Sequence, residues 1–171
     1  MDLTKYITSV SDFPQQGILF RDITPLLGDG KAFQAVVEQM AAFAKKRGAE
    51  VIVGPESRGF IFGCPVASAL GIGFIPVRKK GKLPRETFEV NYGLEYGENT
   101  LCIHKDGVAP GQKVVIIDDL LATGGTIDAS VQLIEQLGGE VAGAAFLIEL
   151  KALKGREKLD DIDVLALIQY E

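Results

Sequence analysis

Two adjacent carboxylates, Asp118 and Asp119, follow a run of branched apolar residues, and a turn of small and hydroxyl residues comes after them. The full segment reads Val114-Val115-Ile116-Ile117-Asp118-Asp119-Leu120-Leu121-Ala122-Thr123-Gly124-Gly125-Thr126. KVVIID (113–118) predicts a buried strand, and Thr126 to Leu137 predicts a helix with Ile127, Val131, Ile134 and Leu137 inward. A helix N-terminus offers unpaired main-chain N–H groups and a partial positive charge, which suits a phosphate. Gly124 and Gly125 let the backbone approach closely, while Thr123 and Thr126 add hydroxyl donors. The two carboxylates are acceptors for ribose hydroxyls or for waters on a metal ion. A phosphate on one side and a diol on the other is the chemistry of a ribose 5-phosphate. Taken singly, these residues read as turn formers and a helix cap. Together they do not, because paired carboxylates at a buried strand end repel one another. Neither G-x-x-x-x-G-K-[ST] nor G-x-G-x-x-G occurs, so a P-loop and a dinucleotide fingerprint are both absent from the sequence.

Other residues are candidates for chemistry. Glu56-Ser57-Arg58-Gly59 lies between an expected strand and an expected helix, forming a second anion-binding turn in which Arg58 can pair with two oxygens. The alternative is a surface turn with an exposed arginine. Arg78, Lys79, Lys80, Lys82 and Arg85 crowd one short stretch of an acidic protein. Such a run reads as a solvated face, a nucleic-acid patch or a lid over a multiply charged group. Glu95 stands between Leu94 and Tyr96, and Phe20 between Leu19 and Arg21; Phe20 is equally readable as core. His104 is the only histidine and has no visible metal-ligand partners.

The elements that must position these groups follow from periodicity and stop signals. Residues 31–47 predict a helix with Phe33, Val36, Val37, Met40 and Phe43 on one face, stopped by Gly48. VIVG (51–54) and FIPVR (74–78) predict strands, with a helix between them that ends at Gly71 and carries Pro65 in its first turns. Residues 87–104 alternate loosely and predict an antiparallel hairpin projecting from the main body. VAGAAFLIEL (141–150) and DVLALIQY (163–170) are the last strands. Apolar strands alternating with helices predict an α/β fold, a mainly parallel central sheet flanked by helices, with ligands at the carboxyl ends of its strands.

Bulk properties narrow the function class. The chain has 171 residues, 47% hydrophobic and 24% charged, the mixture of one globular domain spanning 1–171. A net charge of −5 argues against a nucleic-acid protein, so any anion site must be local. Cys64 and Cys102 are too few for a disulfide framework and read as buried thiols in a reducing cytoplasm. No secretory signal and no apolar run of about 20 residues is visible, so no membrane role is expected.

The thirteen residues 114–126 resemble the phosphoribosyl pyrophosphate signature of type I phosphoribosyltransferases, and DDLLATGGT is similar to the adenine-specific branch. FRDITPLL (20–27), ESRGFIFG (56–63), RKKGKLP (78–84), LEYG (94–97) and LKGREKL (153–159) match in the same order, so the resemblance covers nearly the whole chain. It implies the type I fold, with a small N-terminal base-binding hood at about 1–30 and a projecting, flexible catalytic loop at about 79–96. It also implies transfer of adenine onto phosphoribosyl pyrophosphate with Mg2+, giving AMP and pyrophosphate, by a cytoplasmic homodimer. The implied roles are specific. Asp118, Asp119, Ala122, Thr123, Gly124, Gly125 and Thr126 would bind phosphoribosyl pyrophosphate, and Arg58, Arg78, Lys79 and Lys82 the pyrophosphate. Phe20 would stack on adenine while main-chain groups of Leu19 and Arg21 read its edge. Glu95 would handle the proton near N7, no direct protein ligand to the metal is assigned, and a cis peptide is implied between Glu56 and Ser57. Two alternatives stay open: another purine phosphoribosyltransferase, or a non-catalytic sensor of phosphoribosyl pyrophosphate.

Overall fold

The computed structural model describes residues 1–92 and 99–171. A 3-10 turn at Leu3–Tyr6 leads into β1 (Thr8–Ser11) and β2 (Leu19–Asp22), an antiparallel pair that sets Val10 opposite Phe20. A one-turn helix, α1 (Thr24–Gly28), carries Pro25 as its second residue, which the first turn tolerates. The longer α2 (Gly30–Lys46) is capped by the Asp29 carboxylate, which accepts from the Ala32 N–H at 2.9 Å. Its buried stripe is Ala32, Val36, Met40, Ala41 and Ala44, so of the expected face only Val36 and Met40 are fully covered, while Phe33, Val37 and Phe43 pack half-buried along its margin.

Next come β3 (Val51–Pro55), α3 (Arg58–Leu70) and β4 (Gly73–Lys79). Gly71 closes α3 in the left-handed region, as a helix stop requires. Pro65 is not in the first turns of α3, as expected from the sequence, but in its interior. Complete burial of Phe62 and Val66 outweighs the roughly 3 kcal/mol cost of an interior proline. Then follow β5 (Thr87–Asn91), β6 (Thr100–His104), β7 (Lys113–Leu121), α4 (Gly125–Gln136), β8 (Glu140–Leu150) and β9 (Val164–Tyr170). A 3-10 turn at Gly155–Leu159 lies between the last two strands.

Among the described residues the main sheet runs β5-β6-β4-β3-β7-β8-β9. The strands from β4 to β9 in that order pair parallel, and β6 and β5 add antiparallel at one edge. The α/β class and the mainly parallel sheet therefore stand. Side chains of β7 alternate between two cores: Val114 and Ile116 join α4 on one face, Val115 and Ile117 join α2 and α3 on the other. This double burial explains why the strand reads as continuously apolar.

Three expectations need correction. The strands of the 87–104 hairpin do not stand off the main body, because β6 pairs with β4 and carries a buried face into the core. β7 does not end at the carboxylates but continues through Leu121, held by β8 as far as the Leu121–Glu149 pair. Cys64 is exposed, since α3 turns it away from the sheet, and only Cys102 is buried. No described helix is long and apolar enough to cross a membrane.

Candidate active site

β3 and β7 are neighbours in the sheet, yet α3 leaves β3 onto one face and α4 leaves β7 onto the other. Such a divergence opens a crevice at the carboxyl ends of the strands. A cavity of about 240 Å³ lies there, lined by Glu56, Arg58, Asp118, Asp119 and the run from Leu120 to Ile127, with Phe146 beneath. The predicted groups Arg58, Asp118, Asp119, Ala122, Thr123, Gly124, Gly125 and Thr126 are thus brought together.

The turn after β7 is shaped by its backbone. Gly124 sits at φ +90° directly before α4, a conformation that a side chain would strain. Among the described residues, none of the main-chain N–H groups of Thr123–Thr126 donates to a protein acceptor. The Thr126 hydroxyl donates at 3.4 Å to the Tyr92 hydroxyl, and the Tyr92 ring lies 3.2 Å from where a Gly125 Cβ would be. A concave surface of free donors results, open to an anion.

The carboxylates occupy a different setting. Asp119 is 5% exposed and pairs with Arg58, Nε to Oδ2 at 3.1 Å. Asp118 accepts from the Asp119 N–H at 2.8 Å. Burial first, and the neighbouring Asp119 charge second, push the Asp118 carboxyl well above its usual range. Gly59 makes this closeness possible, because a Cβ there would lie 3.0 Å from the Ile117 carbonyl and 3.2 Å from Asp118 Oδ1.

The turn after β3 relies on charged side chains. The Glu56–Ser57 peptide is cis, as the resemblance implies. Glu56 Oε1 accepts from Arg78 Nε at 3.2 Å and from the Lys79 main-chain N–H at 2.8 Å. That carboxylate therefore fastens the end of β4 beside the cavity. Arg58 also reaches the N-terminal hairpin, its Cζ lying 5.9 Å from the Phe20 ring centroid. Phe20 meets Phe13 edge to face at 5.1 Å. The Arg21 side chain is engaged elsewhere, over the Tyr170 ring at 3.7 Å and on the Ser9 hydroxyl. Leu19 is half exposed on the same strand.

Other predicted residues stand further off. Arg78 and Lys79 adjoin the cavity only through Glu56, and the exposed Lys82 has no cavity contact among the described residues. Lys80 pairs with Glu89 at 3.5 Å and Arg85 with Asp106 at 2.7 Å, so these cations are committed on the surface. His104 serves this surface group, with Nδ1 at 3.3 Å from Arg85 Nη2. Glu95 lies outside the described residues, as does part of the segment 79–96. Sequence reasoning assigned no role to Glu56 or Tyr92. Glu56 carried a usable signal, an acid at a strand end facing a later run of cations, whereas Tyr92 carried none.

The comparisons with known proteins agree with this fold. A family model described as the phosphoribosyl transferase domain matches residues 27–170. A relative from Lactobacillus gasseri named adenine phosphoribosyltransferase is 61% identical over 170 residues, covering 99% of this chain and 97% of its own. The crystal structure of adenine phosphoribosyltransferase from Thermoanaerobacter pseudethanolicus superposes with TM-score 0.94 at 53% identity, over 99% of this chain and 98% of that one. The Saccharomyces cerevisiae adenine phosphoribosyltransferase, solved with an imino-altritol bisphosphate and adenine, gives TM-score 0.91 at 40% identity over 97% and 96% of the two chains.

Proposed function

Since this chain belongs to the phosphoribosyl transferase domain family, we propose that its cavity converts adenine and phosphoribosyl pyrophosphate into AMP and pyrophosphate, a purine salvage reaction. The protein is a pentosyltransferase. One observation carries the assignment to this cavity: a turn of free amides and a pair of carboxylates share it, with Phe20 leaning on Arg58 at its rim.

The roles follow from the chemistry of each group. The N–H groups of residues 122–126, with the Thr123 and Thr126 hydroxyls, bind the 5′-phosphate. Asp118 and Asp119 accept from the ribose hydroxyls and fix the ring for attack at the anomeric carbon. Adenine N9 attacks from one face as pyrophosphate leaves from the other. Arg58, with Arg78, Lys79 and Lys82, stabilises charge on the leaving oxygens. Phe20 stacks on the base, and main-chain groups of Leu19 and Arg21 present the donors and acceptors that select a 6-amino purine. Glu95 handles the proton at N7. Residues 1–30 are the hood, and the enzyme works as a cytoplasmic homodimer.

The donor set suits Mg2+. Among the described residues no group of three or more His, Cys, Asp or Glu side chains forms a metal cage. Two carboxylates suit an ion that keeps waters and arrives on substrate phosphates, and the raised Asp118 would ionise more readily beside a cation. When bound, the ion offsets charge developing on the pyrophosphate.

The test is nucleotide formation from a panel of purine and pyrimidine bases with phosphoribosyl pyrophosphate and Mg2+, using wild type and Glu95→Ala. Adenine should be the preferred base, and Glu95→Ala should lose kcat by about a hundredfold or more while keeping its affinity for the activated sugar. Preference for another base, or no nucleotide at all, would overturn the reading.

A further inference from the structure

We propose that the ion pair between Glu149 and Arg156 is a positioning device for the sugar-phosphate turn. It locks the Gly155–Leu159 turn against Ala122 and Gly124, so that Arg156, bound to Glu149, sets the geometry of amides that hold the phosphate. The inference rests on the phosphoribosyl reading of residues 122–126.

Glu149 lies near the end of β8, opposite Leu121 of β7 and Gln169 of β9. It is 3% exposed, which makes a lone charge there costly. Arg156 Nε reaches both of its oxygens, at 3.0 and 2.9 Å, and Gln169 Nε2 donates to Oε1 at 2.9 Å. Arg156 Nη1 donates further to the Val164 carbonyl at 3.4 Å. Burial pushes the Glu149 carboxyl up, but the hydrogen bonds from Arg156 and Gln169 overcome it and hold the group below its usual value. The pair thus ties the segment after β8 to the strand that flanks β7.

The tie transmits to the turn because backbone meets backbone at the next residue. A Cβ on Gly155 would lie 2.5 Å from the Ala122 carbonyl oxygen and 2.8 Å from Leu121 Cδ1. A Cβ on Gly124 would lie 2.9 Å from the Gly155 carbonyl oxygen and 3.2 Å from Lys158 Cδ. Leu159 then enters the core cluster that includes Ile127 of α4. The outer wall of the phosphate turn is therefore this C-terminal segment. A pair that served stability alone would have no reason to discriminate between the two substrates. A pair that sets the turn affects the sugar phosphate and spares adenine.

The experiment measures KM for each substrate, saturating kcat and calorimetric affinity for ribose 5-phosphate in wild type, Arg156→Ala, Arg156→Lys and Gly155→Ala. Arg156→Ala should raise the phosphoribosyl pyrophosphate KM by about ten- to a hundredfold and weaken ribose 5-phosphate equally. Adenine KM and kcat should stay within about twofold. Arg156→Lys should recover part of the loss, since an ammonium keeps the charge but not the planar fork. Gly155→Ala, which keeps both partners of the ion pair, should give the same sugar-selective defect through Ala122. If folded Arg156→Ala keeps the wild-type sugar KM, or loses both KM values and kcat together, the inference fails. If Arg156→Ala does not fold, a normal sugar KM in Gly155→Ala overturns it. A wild type that makes no AMP sinks the reaction reading instead, and unchanged ribose 5-phosphate affinity across the variants sinks this one.

Discussion

The turn after β3 and the turn after β7 face the same cavity with different equipment. Residues 56–58 offer side chains: Glu56 fastens Arg78 and the Lys79 amide, and Arg58 is half exposed and rests on Asp119. Residues 122–125 offer backbone, with Gly124 at φ +90° and Gly155 wedged against Ala122. One surface can change partners by rotating side chains, whereas the other cannot move without displacing the segment behind it. The difference fits a substrate with one group that stays and one that departs. A packed cradle of amides suits the 5′-phosphate, identical before and after reaction. Exposed guanidinium and ammonium groups suit the pyrophosphate, which must be gripped and then released.

The largest expected effect comes from the Arg58–Asp119 ion pair, which joins the turn after β3 to the end of β7. Asp119→Asn keeps the shape of a buried side chain but removes the charge that holds Arg58 and that we propose accepts from ribose. Its kcat/KM for phosphoribosyl pyrophosphate should fall on the order of a hundredfold or more. The melting temperature should move little, because the arginine left behind is half exposed and solvated. Steady-state kinetics beside thermal unfolding makes the comparison, and wild-type turnover in the variant would remove Asp119 from the ribose.

A smaller and more selective loss is expected on the other side. Arg58→Ala removes charge-assisted hydrogen bonds worth about 1.5–3 kcal/mol, or roughly ten- to a hundredfold. The loss should appear in the pyrophosphate KM when AMP is run backwards, while ribose 5-phosphate affinity stays near wild type. If both affinities fell together, the two turns would be one rigid site and the division drawn between them would be wrong.

This division also explains what could be read from the sequence. The turn after β7 and its place at the cavity are legible because its residues are contiguous: an apolar strand, two acids, two glycines and two threonines. The sheet was legible for the same reason, each strand carrying its own period and stops. The side-chain turn was only half legible. Arg58 announced itself, but the partnership of Glu56 with Arg78 spans β3 to β4 and depends on parallel register that no local pattern encodes. Gly155 and Lys158 were visible as letters in LKGREKL, yet nothing in their spacing places them against Gly124. The position of the hairpin failed likewise. Its alternation predicts strands correctly but does not say that β6 will join the edge beside β4. Pro65 misled because the cost of a proline is local, whereas the gain from burying Phe62 is tertiary.

The smallest expected effect concerns the acid that neither turn uses as an ion partner. Asp118 is pushed above its usual range by burial and then by the Asp119 charge, against weaker support from the Asp119 N–H and Arg58. A carboxyl with a raised folded-state value keeps a proton that the unfolded chain releases. Its contribution to stability is whole below the unfolded value, near 3.8, and is lost as pH rises through the folded value. Asp118→Asn removes that titration. With chelator present, the melting temperature of the variant relative to wild type should therefore climb from about pH 4 upward by a few degrees, then level off once wild-type Asp118 is ionised. A difference that stayed flat with pH would mean that Asp118 ionises alike in the folded and unfolded chain. Burial at the end of β7 would then not act on Asp118, and this acid would be no more confined than the half-exposed Arg58 of the turn after β3.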